Sequence, residues 1–245
     1  MRTILLVVVM LLVVPACMAR QVWKTVGPPI TAALDVDAQG HVVHAQLLGN
    51  NVLPQLQSLT EQVSHSLRFV PATVGGKPAP ARTYAMFDVE MHEIDGNQQL
   101  RLHYMLHGPG RVFAQSPAYP PEMLRQLVAA SVVMAFDVNG DGSVSNVHVV
   151  TAKTSGSTRG AAFYKASIEA IEKDRFLPEL VDGRPVVTHM RMPINFDIDG
   201  YVAGQLRHAP DAPHDKVGSD SVDVTRFADI PVALDSPLHL VSVQP

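Results

Sequence analysis

The sequence predicts an α+β protein made of two small domains, each a short antiparallel sheet with one helix packed on a face. Two observations lead there. The first is that the chain repeats itself in order. Leu34-Asp35-Val36-Asp37-Ala38-Gln39-Gly40 returns as Phe136-Asp137-Val138-Asn139-Gly140-Asp141-Gly142. Arg68-Phe69-Val70-Pro71 returns as Arg175-Phe176-Leu177-Pro178. Eight residues after each Arg comes a Gly-basic-Pro triplet, Gly76-Lys77-Pro78 and Gly183-Arg184-Pro185. The halves close on Phe87-Asp88-Val89 and Phe196-Asp197-Ile198. The separation grows from 102 (Asp35 to Asp137) through 107 (Arg68 to Arg175) to 109 (Phe87 to Phe196), the drift that loop insertions produce. Such a period is too long for a solenoid and suits two copies of one globular domain. The second observation is composition. Of 245 residues 47% are hydrophobic, enough for a core in each half.

The elements follow in chain order. Thr31 to Val36 and Val42 to Leu48 alternate around the turn Asp37-Ala38-Gln39-Gly40, a hairpin signal. Asn50-Asn51 can cap a helix whose apolar face holds Leu53, Leu56, Val63 and Leu67, with Pro54 in the first turn and an end near Arg68-Phe69. Gly75-Gly76-Lys77-Pro78 is a loop, and Thr83 to Met91 reads as a strand. An extra strand runs from Leu100 to His107 after a turn at Asp95-Gly96. The first domain is thus expected over residues 22–107. In the second, expected over 113–200, Pro121 to Leu127 suits a short helix. Ser131 to Asp137 and Val144 to Thr151 form a hairpin, Ala161 to Ile171 a helix, and Pro185 to Phe196 the closing strand. Residues 201–245 read as linker and loosely structured tail. His208 to Ser221 is rich in turn formers, and prolines interrupt the alternation of Ile230 to Val243.

Residues 1–19 are expected to be an export signal. Arg2 gives a positive start, Ile4 to Val14 an apolar run of 11 residues, and Ala16-Cys17-Met18-Ala19 a cleavage region. The chain is therefore expected to be exported, the other reading of the segment being a short uncleaved anchor. Cys17 is the only cysteine, and Val14-Pro15-Ala16-Cys17 resembles a lipobox. Two readings stand: Cys17 is lipidated and anchors the chain, or cleavage after Ala19 removes it. Either way no disulfide can form within the chain. The net charge of −4 without a basic stripe argues against nucleic acid as a partner.

The chemical candidates have structural explanations. Asp137 to Ser143 resembles the start of a calcium loop, but the twelfth position is His148 where a bidentate acid is needed. A hairpin turn accounts for the same residues. His103 and His107 would lie on one face of a strand about 13 Å apart, too far to share a metal; they read as solvated surface histidines. Arg68 and Arg175 suit helix C-termini, where a cation meets free carbonyls. No nucleophile elbow, zinc-protease motif or phosphate loop is present. The expectation is therefore no enzyme, no catalytic residues, no metal and no cofactor.

Pro117-Ala118-Tyr119-Pro120, the Asp-rich hairpin within Val132 to Val149, Ala166 to Phe176 with Pro178, Gly183-Arg184-Pro185 and Met192-Pro193-Ile194-Asn195-Phe196 span 80 residues. In that order they closely resemble the C-terminal domain of TonB-type energy transducers, a domain related to the TolA fold. The first half is similar but degenerate, lacking the Tyr-Pro opening. The apolar segment has no His for motor partners, and no long Pro-rich linker follows. The resemblance implies a tandem protein-interaction module of the cell envelope without the motor-coupling helix. It implies capture of an envelope protein or outer-membrane receptor segment by strand addition at the closing strand. The expected edge is Val187, Thr188, His189, Met190 and Arg191, and Met190 is expected to offer a main-chain donor there. Pro193 fits an edge strand. The alternative is a structural or ligand-binding envelope lipoprotein with no transport role, which a concave apolar pocket would favour. Membrane contact would come only through a lipid at Cys17.

Overall fold

The computed structural model describes residues 22–49, 52–94, 96–155, 160–198 and 229–243. The expected export signal with Cys17, and the linker up to residue 228, lie outside the described residues. The first half contains β1 (Lys24–Thr25), β2 (Ile30–Val36), β3 (Val42–Leu47), α1 (Pro54–His65), β4 (Leu67–Val70), β5 (Ala72–Val74), β6 (Lys77–Ala79) and β7 (Ala81–Ile94). β8 (Asn97–Gly108) and β9 (Gly110–Phe113) follow it. The second half contains α2 (Pro121–Arg125), β10 (Ala130–Val138), β11 (Val144–Thr154), α3 (Ala161–Ile171), β12 (Arg175–Leu177), β13 (Leu180–Val181), β14 (Arg184–Pro185) and β15 (Thr188–Phe196). The tail supplies β16 (Val232–Ala233) and β17 (His239–Val243).

Both halves use one connectivity. An opening hairpin is crossed by a helix, and the closing strand returns beside the first strand, giving the local orders β3-β2-β7 and β11-β10-β15, antiparallel throughout. Alternation buries one face of each sheet. Leu34, Val36, Leu67, Phe69 and Phe87 form one core, with Leu56, Leu59 and Val63 of α1 packed on it. Met134, Phe136, Phe163, Ile171, Phe176, Ile194 and Phe196 form the other.

The repeated motifs meet in space, which explains why they recur together. Gly40 has φ +84° and Gly142 φ +80°, the left-handed region that the hairpin turns require. The amide of Phe69 donates to Gly40 O (2.9 Å), and that of Phe176 to Gly142 O (3.0 Å). The approach is so close that a Cβ on Gly40 would lie 1.9 Å from Phe69 O, and one on Gly142 2.1 Å from Phe176 O. Each opening turn therefore locks onto the Arg-Phe strand that leaves the helix. The two Phe side chains are buried. Arg68 Nη1 reaches back to the carbonyls of His65 and Leu67, both at 2.8 Å. Arg175 Nη1 does the same to Glu172 O (3.3 Å) and Asp174 O (2.7 Å). These are the free carbonyls of a helix end and its turn.

Three local expectations change. The first helix ends at His65 rather than near Arg68-Phe69: Ser66 Oγ donates to Val63 O, and Leu67 already belongs to β4. A bulge in β8 breaks its alternation, since Met86 pairs with Leu106 but Phe87 with Tyr104. His103 and His107 therefore do not share a face. His103 stays exposed, while the His107 ring packs edge-on against Phe69 at 5.1 Å. Its Nε2 donates to Leu238 O (2.9 Å), so Nδ1 accepts from Tyr104 Oη (2.5 Å). Burial holds the His107 ring below the usual histidine range. Thirdly, residues 230–243, read as loose, pair with both halves.

That pairing is reciprocal. β9, which leaves the first half, pairs with β12 of the second. β17, which leaves the second half, pairs with β4 of the first. Both strands carry a one-residue bulge at the matching place, Val112 and Val241. β13 of the second half also joins the first sheet beside β7.

Candidate functional site

The sheet edges differ in what covers them. The outer side of β3 is met by α1. Gln57 accepts from Leu47 N (3.0 Å) and donates to Ala45 O (2.9 Å), and His65 donates to Val42 O (2.8 Å). The register of β11 with β10 is broken twice, between Val133/Met134 and between Ala135/Asp137, and such bulges twist an edge away from pairing. β15 is regular. Its register with β10 runs unbroken from Val138↔Thr188 to Ala130↔Phe196.

The other side of β15 carries the tail. β16 pairs only at Met190↔Ala233 and Arg191↔Val232. Beyond that pairing single contacts take over. Leu234 N donates to His189 O (2.9 Å), and Asp229 N to Pro193 O (2.8 Å). Two carboxylates clamp the ends. Asp235 Oδ1 accepts from His189 N (2.7 Å), and Asp229 Oδ1 from Asn195 N (3.2 Å). Asp235 also holds the His189 ring, Nδ1 to Oδ2 at 2.6 Å, and this bond raises the His189 pKa above the usual 6.5. Arg111 Nη1 donates to Asp229 O (3.3 Å) while Nη2 donates to Asp174 (2.6 Å). Val232 is buried against Val133, Leu106 and Val150.

This geometry redistributes the expected edge residues. The main-chain groups of His189, Pro193 and Asn195 face the tail, and those of even-numbered neighbours face β10 by strand alternation. Met190 therefore does not offer its donor to the edge. Its amide belongs to the β10 ladder, and its side chain is buried in the core. Thr188 is likewise fully buried. Val187 precedes β15 and is exposed. His189 and Arg191 remain as edge positions, both already opposite the chain's own tail. Pro193, whose missing N–H would point outward, stands where an edge strand tolerates it.

Sequence reasoning missed a buried carboxylate beside this edge. Glu179 has no exposure, yet accepts from Thr83 Oγ1 (2.6 Å), Ser236 Oγ (2.8 Å) and Thr188 Oγ1 (3.2 Å). Those hydroxyls come from the first half, the tail and β15. Desolvation raises its pKa above the ordinary carboxylate range. Asp229, Asp235, Ser236 and Leu238 were hidden in the proline-broken tail. The alternation of Val232, Leu234, Leu238 and Leu240 was their one visible signal.

The Asp-rich turn is held by internal bonds. Asp141 Oδ1 accepts from Ser143 N (2.9 Å) and Oγ (2.6 Å), and Asp137 Oδ2 accepts from Asn146 Nδ2 (2.5 Å). Among the described residues no group of three or more His, Cys, Asp or Glu side chains is placed to hold a metal ion. Nor is any helix there long and apolar enough to cross a membrane. An open groove of about 500 Å³ lies between Ile30, Leu47, Val52, Leu56 and Val112, with Arg111 at its wall.

Residues 115–198 match the family model of the Gram-negative bacterial TonB protein C-terminal. A stretch of the chain is also similar to Protein TonB of Xanthomonas campestris pv. campestris, strains B100 and ATCC 33913. Identity is 31% over 83 residues, covering 34% of this chain and 35% of each relative. The chain thus spans about a third of the length of the curated relatives it matches, and over residues 115–198 it is TonB C-terminal-domain-like.

Proposed function

We propose that the chain is a non-enzymatic interaction protein of the bacterial envelope, acting in the periplasm. In this reading it consists of two copies of one TonB-C-like domain, and it captures an envelope partner or receptor segment by strand addition at β15. The observation that carries the reading is that the outer side of β15 already accepts a strand from outside the 115–198 domain, with two ladder pairs and an unbroken register behind it. An edge that binds one extended segment through main-chain groups can bind another. The shared connectivity and the matched Gly40–Phe69 and Gly142–Phe176 contacts support duplication. The groove offers less to the ligand-binding alternative, because Arg111 at its wall is turned to Asp174 and Asp229.

The test compares His189→Pro with His189→Ala in the full chain. Proline deletes an outward-facing donor, whereas alanine removes only the side chain. Envelope partners cross-linked to the wild type should be lost with proline and largely kept with alanine, both variants keeping their circular dichroism. Equal capture by both folded variants would move the function away from this edge.

A further inference from the structure

The molecule contains its own comparison for the β15 edge. In the first half the closing strand β7 is covered by β8 along a register running from Tyr84↔Gly108 to Ile94↔Asn97. In the second half β16 covers β15 only at Met190 and Arg191. The tail makes up the difference with single contacts, two of them side chain to main chain. It is held most firmly elsewhere, where Leu238 is buried in the first core and β17 pairs with β4. Residues 229–235 are thus a weakly laddered stretch leading into a firm anchor.

We infer that Asp229-Ile230-Pro231-Val232-Ala233-Leu234-Asp235 is a resident competitor on the β15 edge, and that a partner entering there is an extended peptide with the same chemistry. This rests on the strand-addition reading above. The resident segment defines three requirements. A carboxylate at each end must accept the outward amides of His189 and Asn195, and the one at the His189 end also meets an imidazole. A β-branched aliphatic residue must fill the place of Val232 among Val133, Leu106 and Val150. A small residue must follow it, because the Ala233 Cβ stands 2.8 Å from where a Cβ on Gly108 would be. A larger side chain there has Gly108 backbone in its way.

The experiment uses the full chain and a fluorescein-labelled synthetic peptide of residues 229–236, followed by anisotropy. Val232→Asp in the chain undocks the resident segment by placing a charge in an apolar seat. Asp235→Ala serves as a milder release if the first variant does not fold. Amide exchange at His189 and Asn195 reports whether the edge has opened. The peptide should bind the released chain at least about tenfold more tightly than the parent, the mass-action signature of a removed competitor. A peptide with both aspartates changed to asparagine should bind the released chain at least about tenfold more weakly, matching the loss of charge-assisted bonds. Equal peptide affinity for parent and released chains would overturn the competitor. Equal affinity of the two peptides would overturn the carboxylate requirement and leave strand addition standing. No binding to a chain whose edge amides exchange freely would sink strand addition itself.

Discussion

At the level of single residues, two glycines set the tolerance of the fold. Gly40 and Gly142 combine a left-handed φ with backbone in the space a Cβ would take. A carbonyl cannot swing aside as a flexible side chain can, so Gly40→Ala and Gly142→Ala should each lose about 2–4 kcal/mol in denaturant titrations. Phe69→Ala and Phe176→Ala empty the sites those turns close over, and each should cost about 3–5 kcal/mol. Parent-like midpoints for either pair would break the link between turn and strand. Glu179 behaves differently, because its charge is the liability. Desolvation raises its folded pKa above the ordinary 4.5. Its contribution is therefore complete below that value and is lost as pH rises through the raised one. Glu179→Gln keeps an acceptor among the three hydroxyls and cannot ionise. Its stability relative to the parent should climb with pH across that window; a constant difference would mean that Glu179 does not titrate in the fold.

The elements show why much of the chain was legible in sequence and why its edge was not. Both hairpins, both main helices and the closing strands announced themselves through period and turn chemistry, because each buries one face on its own half. The pairing of β13 with β7, of β9 with β12 and of β17 with β4 joins segments far apart in the chain, and no local pattern encodes that. Pro231 and Pro237 made the tail read as loose, yet both sit beside its short strands rather than within them. The Met105 bulge reversed the parity that His103 and His107 had suggested. Direction of main-chain groups along β15 also needed the partner strands: only pairing on both sides shows that His189 faces the edge and Met190 faces β10. Met190→Pro should therefore damage the β10–β15 ladder, costing about 3 kcal/mol or more by analogy with proline in other ladders. Its circular dichroism and urea midpoint should fall well below those of His189→Pro, which leaves the β10 ladder intact and removes only the exposed contacts of His189 with Asp235 and Asp137. Similar losses for the two would mean that the alternation is misassigned.

Taken whole, the molecule is closed by reciprocal strands, and the tail is the segment that reads both halves. Its two attachments answer to protons in opposite directions. At the anchor, His107 donates to Leu238 O and is held neutral by burial, below the ordinary 6.5. That contribution is complete above 6.5 and is lost as pH falls through the depressed value. At the clamp, Asp235 raises His189 above 6.5, so its contribution is present below 6.5 and is lost as pH rises through the raised value. The His189 pair is exposed and screened, so its effect should be local rather than global. Amide exchange separates the two attachments when each rate is corrected for intrinsic pH dependence. From about pH 8 to about pH 5, the window in which histidines titrate, protection should fall at Arg68 and Val70 of β4, whose amides face β17 by strand alternation while that of Phe69 is held by Gly40 O. It should rise at His189 and Leu234, where the clamp closes. His107→Gln, which can both donate to Leu238 O and accept from Tyr104, should abolish the first change and leave the second. If both regions moved together in the parent, or if the β4 response survived His107→Gln, the tail would not be held by two independent histidines.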